Sequence, residues 1–294
     1  MDDDPSPTAS APAPLAPGLY LVATPIGNAR DITLRALDVL AAAEVLAAED
    51  TRNTRRLLAI HGVRRPPEGW LLPYHDHNGA AQRPRLLKAL AEGRSVALVS
   101  DAGTPLVADP GWRLAREAIA AGHPVTAVPG ASAALAALSV AGLPTDRFLY
   151  AGFLPPRAAA RRRALAELAP VPATLVFYES PRRLAGSLAD MAATLGAGRP
   201  AAVCRELTKR FEETRRDSLG ALAAATAGGP EPRGEIVVLV GAPLAAPAGE
   251  DALDAALGAA LPGRSLRDAA DAVAAALGLP RRQVYARALA LAGR

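Results

Sequence analysis

The run SDAGTPLVADPG, Ser100 to Gly111, sets Asp101 and Asp109 among two glycines and two prolines directly after the apolar run Val96 to Val99. In open α/β sheets, ligands gather at the carboxyl ends of strands. An aspartate there pairs with a ligand ammonium or hydroxyl, Gly103 and Thr104 present backbone groups, and Pro105 holds the loop in shape. A connector of this length would otherwise be inefficient. Two weaker signals accompany it. Thr24 to Asn28 reads TPIGN, where Pro25 stiffens the turn and Gly27 permits an unusual backbone angle; alone these mark an ordinary turn. Val128 to Ala134 reads VPGASAA, a strand passing through Pro-Gly into a helix of small residues, whose first N–H groups and the Ser132 hydroxyl suit polar ligand atoms. A dinucleotide fingerprint and a phosphate loop are both missing from the sequence. His75 and His77 resemble a metal pair, but no further His or Cys follows at suitable spacing, so they read as polar loop residues and no metal is expected.

These segments need strands to aim them. Leu19 to Ala23, Val45 to Ala48, Val96 to Val99 and Val125 to Val128 read as strands, with Leu34, Leu37 and Leu40 at helical spacing between the first two. Val45 to Ala48 ends at the acidic pair Glu49 and Asp50. Beyond Gly142 and Pro144, a second set of strands is expected at Phe148 to Tyr150, Thr174 to Tyr178, Ala201 to Arg205 and Ile236 to Val240, with helices between. Abundant Ala, Leu and Val with few aromatics points the same way, so the fold class is α/β. The expected divisions are a disordered Pro- and Ala-rich tail over 1–17, α/β domains over 18–128 and 129–242, and a linker with a small helical region over 243–294. In that last region Ser265 to Leu277 and Arg281 to Leu291 read as two helices joined through Gly278 and Pro280. They suit a helix-turn-helix superficially; a plain hairpin packed on the main body is the favoured reading, because the second helix offers few base-reading side chains beyond Arg281, Arg282, Gln283 and Arg287.

The net charge of +4 rests almost wholly on arginine, since Lys88 and Lys209 are the two lysines. A G- and C-rich genome yields that skew without functional cause, while Arg also matches phosphate geometry. Cys204, the single cysteine, excludes an intramolecular disulfide and a multi-cysteine zinc site, and suits a reducing, cytoplasmic setting. No signal peptide is expected. Charged residues, Gly or Pro break every apolar stretch before it reaches membrane-spanning length.

Eight runs, LYLVATPIGNARDITLRAL, AAEDTRNTRRLL, SDAGTPLVADPG, VPGASAALAAL, GFLPP, FYESPRRL, RELTKRFEE and GEIVVLVG, resemble in order the 16S ribosomal RNA (cytidine-2'-O)-methyltransferase family of the tetrapyrrole methylases. The resemblance spans about Gly18 to Gly241, and the small C-terminal region is similar to that family's helical tail. It implies two α/β domains holding S-adenosylmethionine in the cleft between them. It also implies cofactor contacts at Pro25, Ile26, Asp101, Ala102, Gly103, Thr104, Val107, Ser132, Ala133, Tyr178 and Glu179. Many tetrapyrrole methylases begin with a G-x-G-P-G-D type turn; the TPIGN of this chain departs from it as the ribosomal RNA branch does, favouring RNA over a porphyrin.

The implied reaction is attack by a ribose 2'-oxygen of a cytidine, in the decoding region of 16S rRNA, on the sulfonium methyl group. A sugar hydroxyl is a weak nucleophile, so a proton acceptor is expected. Glu49 and Asp50, closing a strand toward the cleft, are the first candidates, and Lys209 is another, either as a base or as a phosphate ligand. Asp50 also suits the N-cap of the helix containing Leu57 and Leu58. Arg52, Arg55, Arg56, Arg182, Arg183 and Arg210 are candidate contacts to RNA phosphates, or solvated surface charges. The expected partner is 16S rRNA or the small subunit, with a homodimer as the assembly. A small-molecule tetrapyrrole methylase, and a DNA-binding regulator using the C-terminal helices, are the alternatives.

Overall fold

A computed structural model describes residues 14–65, 69–107, 111–244, 250–277 and 279–292. Most of the expected tail, Asp109 in the long loop, most of the expected linker, and Gly278 lie outside the described residues. The last part of the expected tail is tied down: Leu15 packs on the core, and the Tyr20 hydroxyl donates to the Ala16 carbonyl at 2.9 Å. The chain forms two compact units, Met1–Ala242 and Pro243–Arg294.

The larger unit begins with an alternation of strands and helices: β1 (Gly18–Val22), α1 (Leu34–Ala42), β2 (Val45–Ala48), α2 (Thr51–Ile60), β3 (Trp70–Pro73), α3 (Gly79–Ala91), β4 (Ser95–Val99), α4 (Trp112–Ala120) and β5 (Val125–Val128). All five strands are parallel, in the order β3-β2-β4-β1-β5. Parallel strands are buried on both faces, which explains why β2 and β4 read as unbroken apolar runs. Successive residues point to opposite sides. Val45, Ala47, Val96 and Leu98 pack with Leu86, Leu90 and Leu114 of α3 and α4, whereas Leu46, Ala48, Ala97 and Val99 pack with Val39, Leu40 and Leu58 of α1 and α2. The sequence reading passes over β3, a four-residue edge strand.

The second half holds α5 (Ala133–Ala141), β6 (Phe148–Phe153), α6 (Ala158–Leu168), β7 (Thr174–Glu179), α7 (Leu184–Leu195), β8 (Pro200–Arg205), β9 (Glu213–Ser218), α8 (Leu219–Thr226) and β10 (Ile236–Val240). Its sheet is mixed, ordered β6-β7-β10-β8-β9: β6 and β7 run parallel, and the remaining pairs are antiparallel. Phe177, Val203 and Val238 face α6, α7 and α8, while Val176, Ala202, Cys204 and Leu239 face α5. Ile26, from the turn after β1, belongs to this second core, so the turn packs against the second half. Strand β9, with sequence ETRRDS, is absent from the sequence reading because it is a polar edge strand without apolar alternation.

The smaller unit has three helices where two are expected: α9 (Glu250–Ala260), α10 (Leu266–Leu277) and α11 (Arg281–Leu291). Leu253 and Leu257 of α9 join Val273 and Val284 in one core, and Arg287 of α11 grips Asp254 of α9 through two bonds of 2.6 and 2.7 Å. No helix among the described residues is long and apolar enough to cross a membrane.

Candidate functional site

The carboxyl ends of β1, β2 and β4 meet the ends of β6 and β7 and the start of β10 around a cleft of about 420 Å³. The turn after β1 and the loop after β4 are joined by a reciprocal backbone pair, Thr24 N–H to Gly103 O and Gly103 N–H to Thr24 O, both 2.9 Å. Gly103 sits at φ +84°, a left-handed conformation that glycine tolerates without strain. Gly27 is required for a different reason from the one expected. Its φ is not positive, but a Cβ there would lie 2.4 Å from Lys209 Cγ, so the constraint is space rather than backbone angle.

Glu49 and Asp101 fasten two strand ends to each other. Glu49 Oε2 accepts from Asp101 N–H at 3.1 Å, and Asp101 Oδ1 accepts from Asp50 N–H at 2.9 Å. Asp101 Oδ2 accepts from Asn53 Nδ2 at 3.0 Å. On the far wall Glu179 is 3% exposed; it accepts from Ser187 Oγ at 2.5 Å and pairs with Arg183 at 3.3 Å. Ser132 occupies the N-cap of α5 with extended backbone, yet its hydroxyl makes no capping bond and so stays available at the cleft wall.

Of the expected cofactor contacts, Ile26, Asp101, Ala102, Gly103, Thr104, Val107, Ser132, Ala133, Tyr178 and Glu179 line this cleft. Pro25 does not; it lines an adjoining cavity of about 540 Å³. Glu49 lines the cleft and Asp50 does not. Asp50 is the N-cap of α2: Oδ1 accepts from Arg52 N–H at 2.8 Å, and Oδ2 from Arg52 Nη2 at 2.6 Å. The Arg52 hydrogen bonds hold its carboxyl down at about 2, which makes it a weak proton acceptor. Lys209 lines the second cavity, with Nζ 2.8 Å from Glu206 Oε1 and 2.7 Å from Glu235 Oε2. Burial works to lower its pKa, but the bonds to Glu206 and Glu235 outweigh that and raise it above the ordinary lysine value. It is therefore an ammonium, not a base.

The candidate phosphate ligands divide. Arg55 and Arg56 are exposed on α2, and Arg56 lines the second cavity. Arg52 is committed to Asp50, Arg182 lies 3.7 Å from Glu231, and the Arg210 guanidinium stands 5.5 Å from the Phe211 ring centroid. Arg183 is turned inward, donating to the Leu154 carbonyl at 2.5 Å beside Glu179. Phe153, Ser180, Pro181, Leu207, Gly234, Glu235, Ile236 and Val237 also line the cleft and are not among the contacts expected from the sequence. Their runs, GFLPP, FYESPRRL, RELTKRFEE and GEIVVLVG, stand out in the sequence, but only the antiparallel entry of β10 beside β7 brings residues 234–237 to the same end as Glu179. His75 and His77 have ring centroids 6.0 Å apart, and among the described residues no three His, Cys, Asp or Glu converge as metal ligands.

Glu49, Asp101, Glu179 and Glu235 all line the cleft, and no Lys, Arg or His lines it among the described residues. Apolar side chains from Ile26, Val107, Phe153, Leu207, Ile236 and Val237 complete the walls. Such a site suits a cationic ligand with flat or aliphatic parts.

Residues 18–223 match the family of Tetrapyrrole (Corrin/Porphyrin) Methylases, and residues 247–292 match the RsmI C-terminal HTH domain. The second match, with the third helix, corrects the expectation of a plain hairpin. The chain is similar to Ribosomal RNA small subunit methyltransferase I of Mesorhizobium japonicum, 52% identical over 281 residues that cover 95% of this chain and 93% of that protein. Its counterpart from Micromonospora olivasterospora is 48% identical, over 91% of this chain and 85% of that one. Uroporphyrin-III C-methyl transferase from Thermus thermophilus, in a crystal structure complexed with S-adenyl homocysteine, shares the fold at a TM-score of 0.51 and 24% identity, over 76% of this chain and 96% of that one.

Proposed function

The chain belongs to the tetrapyrrole methylases and, within them, to the ribosomal RNA small subunit methyltransferase I family, and from that premise we propose that it uses S-adenosylmethionine to methylate the 2'-oxygen of a cytidine ribose in the decoding region of 16S rRNA. The observation that carries the cofactor assignment is a cleft lined by Glu49 and Asp101, neither of them in an ion pair among the described residues, beside Glu179 and Glu235, which Arg183 and Lys209 hold. A carboxylate without a cation favours a ligand of opposite sign, and a sulfonium is such a ligand. The fit extends to the rest of the donor set: Asp101 for hydroxyl or ammonium groups, the Ala102–Thr104 backbone and the uncommitted Ser132 hydroxyl for polar edges, and Ile26, Val107 and Leu207 for apolar parts.

When bound, S-adenosylmethionine supplies a methyl group made electrophilic by its cationic sulfur. The chain contributes position. The Thr24–Gly103 pairing and the Glu49–Asp101 bond fix two loops of the first sheet relative to each other. Alignment of the reacting atoms is a large share of such acceleration. Glu49 is the proton acceptor the geometry supports, because it lines the cleft while Asp50 is held by Arg52 and Lys209 by two carboxylates. Asp50 acts through position, capping α2 and donating its N–H to Asp101.

Arg52, Arg55, Arg56, Arg182 and Arg210 form the RNA-facing set, and Arg183 braces Glu179. The C-terminal helices add a further nucleic-acid surface, consistent with the family their sequence matches. The remaining expectations are a homodimer, 16S rRNA or the small subunit as substrate and a cytoplasmic setting, with α/β domains over 18–128 and 129–242 and the linker and small helical region over 243–294.

Labelled methyl transfer from S-adenosylmethionine to small subunits lacking the modification tests the proposal. We expect label at one cytidine whose 3' linkage then resists alkaline hydrolysis. Cofactor binding without any RNA label would turn the assignment toward a tetrapyrrole or other small acceptor.

A further inference from the structure

The cavity of about 540 Å³ beside the cleft has Ile26, Asp101, Ala102 and Glu235 in common with it. An acceptor oxygen attacking in line must approach a methyl donor from a space that adjoins the donor's own, and this cavity adjoins it. Its volume falls in the range of small-molecule sites.

Helix α2 supplies one whole wall. Asn53, Arg56, Leu57 and Ile60 follow the i, i+3, i+4, i+7 spacing of a single helix face, and all four line the cavity. That face joins an amide, a cation and two aliphatic side chains, one of them, Ile60, 55% exposed. The Asn53 amide is already bonded to Asp101 Oδ2, so it ties the wall of one cavity to the wall of the other.

Of the two cations that line this cavity, Lys209 is neutralised by Glu206 and Glu235. Arg56 has no carboxylate partner among the described residues. A cation left without a carboxylate partner, on a helix face with Asn53, Leu57 and Ile60, is suited to an anion supplied from outside the chain, and arginine matches phosphate oxygens through two N–H groups at once.

Building on the RNA methyltransferase reading above, we propose that this second cavity receives the acceptor ribonucleotide, with Arg56 binding a phosphate next to the target ribose and Leu57 and Ile60 forming the apolar wall against the nucleoside. Arg56 is a positioning residue: it holds the substrate's backbone and does not touch the reacting atoms.

The test is steady-state methyl transfer to unmodified small subunits by the full-length chain and by Arg56→Gln, Arg56→Lys and Ile60→Asp. Arg85→Gln, on α3 and lining neither cavity, is the reference variant. For Arg56→Gln we expect KM for the RNA substrate to rise about tenfold, as for a lost charge-assisted bond, with kcat and the Kd for S-adenosylmethionine within about twofold of the parent. The slope of log kcat/KM against log salt should fall in magnitude by about 0.7, the contribution of one phosphate on a single strand. Arg56→Lys should restore the salt slope, and Ile60→Asp should raise KM by repelling the backbone. A KM and slope unchanged in Arg56→Gln, with active parent enzyme, would overturn this pocket alone. A parent chain that binds S-adenosylmethionine yet labels no RNA would overturn the RNA methyltransferase reading, and the pocket with it.

Discussion

Two cavities with Asp101 and Glu235 in common differ in the cations that line them. The cleft between the sheets presents four carboxylates and no described cation, whereas the cavity on the α2 side sets an unpaired Arg56 and a carboxylate-bound Lys209 beside Asp101 and Glu235. The difference teaches how one small region keeps a cationic methyl donor and a polyanionic acceptor apart until they meet. Glu49, which lines only the cleft, would repel RNA phosphates from the donor's seat, and Arg56, which lines only the second cavity, would disfavour the sulfonium in the acceptor's. Asp101 stands on the boundary, with both oxygens already accepting bonds from α2.

The strongest challenge to this division is Glu49→Gln, which keeps the shape of the cleft while removing its proposed proton acceptor. Methyl transfer should fall at least about 100-fold, within the range for general bases, with S-adenosylmethionine still bound by calorimetry; a near-normal kcat would remove Glu49 from the chemistry. Arg183→Ala probes the opposite wall by leaving Glu179, whose side chain is fully buried, without its cation. Thermal or urea unfolding should show a loss of about 3 kcal/mol, and a fall well below 1 kcal/mol would return Arg183 to the RNA-facing set. Asp101→Ala should weaken S-adenosylmethionine binding by roughly 10- to 100-fold, the worth of a charge-assisted hydrogen bond; unchanged affinity would mean that the boundary carboxylate serves only to organise the loops.

Asp50 separates positioning from proton transfer. Asp50→Ala removes the α2 cap and should lower the unfolding temperature, lowering methyl transfer more than cofactor affinity because α2 forms the acceptor wall. Asp50→Asn retains a capping oxygen and should leave transfer near the parent level. Abolished transfer in the Asn variant, with stability intact, would restore Asp50 as the proton acceptor. The smallest effect is on pH. The Asp50 carboxyl is lowered from 3.8 to about 2 in the fold, so the folded state binds this proton less readily than the unfolded chain. Its contribution is fully present above about pH 4 and is lost as pH falls through about 2. Unfolding of the parent and Asp50→Asn should therefore converge only in that acid window.

Much of this was legible in the sequence where burial dictated residue type. The apolar runs at Val45–Ala48, Val125–Val128 and Ile236–Val240 match the observed strands at both ends, and the SDAGT segment falls on the cleft because it directly follows β4. The polar edge strand β9 and the short β3 left no periodicity to read. Asp50 and Lys209 show the limit on the chemical side. Residue type made each a candidate for proton transfer, but function depends on partners, and Arg52, Glu206 and Glu235 are fixed only by the folded arrangement. Phe153 and Gly234 to Val237 were hidden for a topological reason, since an antiparallel strand delivers its beginning, not its end, to the site.

The cleft is lined by residues from Ile26 to Val237, and the turn bearing Gly27 and Asn28 is clasped by the Lys209 loop, with Asn28 N–H donating to Thr208 Oγ1 across 180 positions of sequence. On a ribosome the site is consequently among the last things completed. At ordinary rates of chain synthesis, on the order of ten to forty seconds separate the first wall of the site from its last. Throughout that interval the newborn first sheet has no cofactor seat to stabilise it and must stand on its own core.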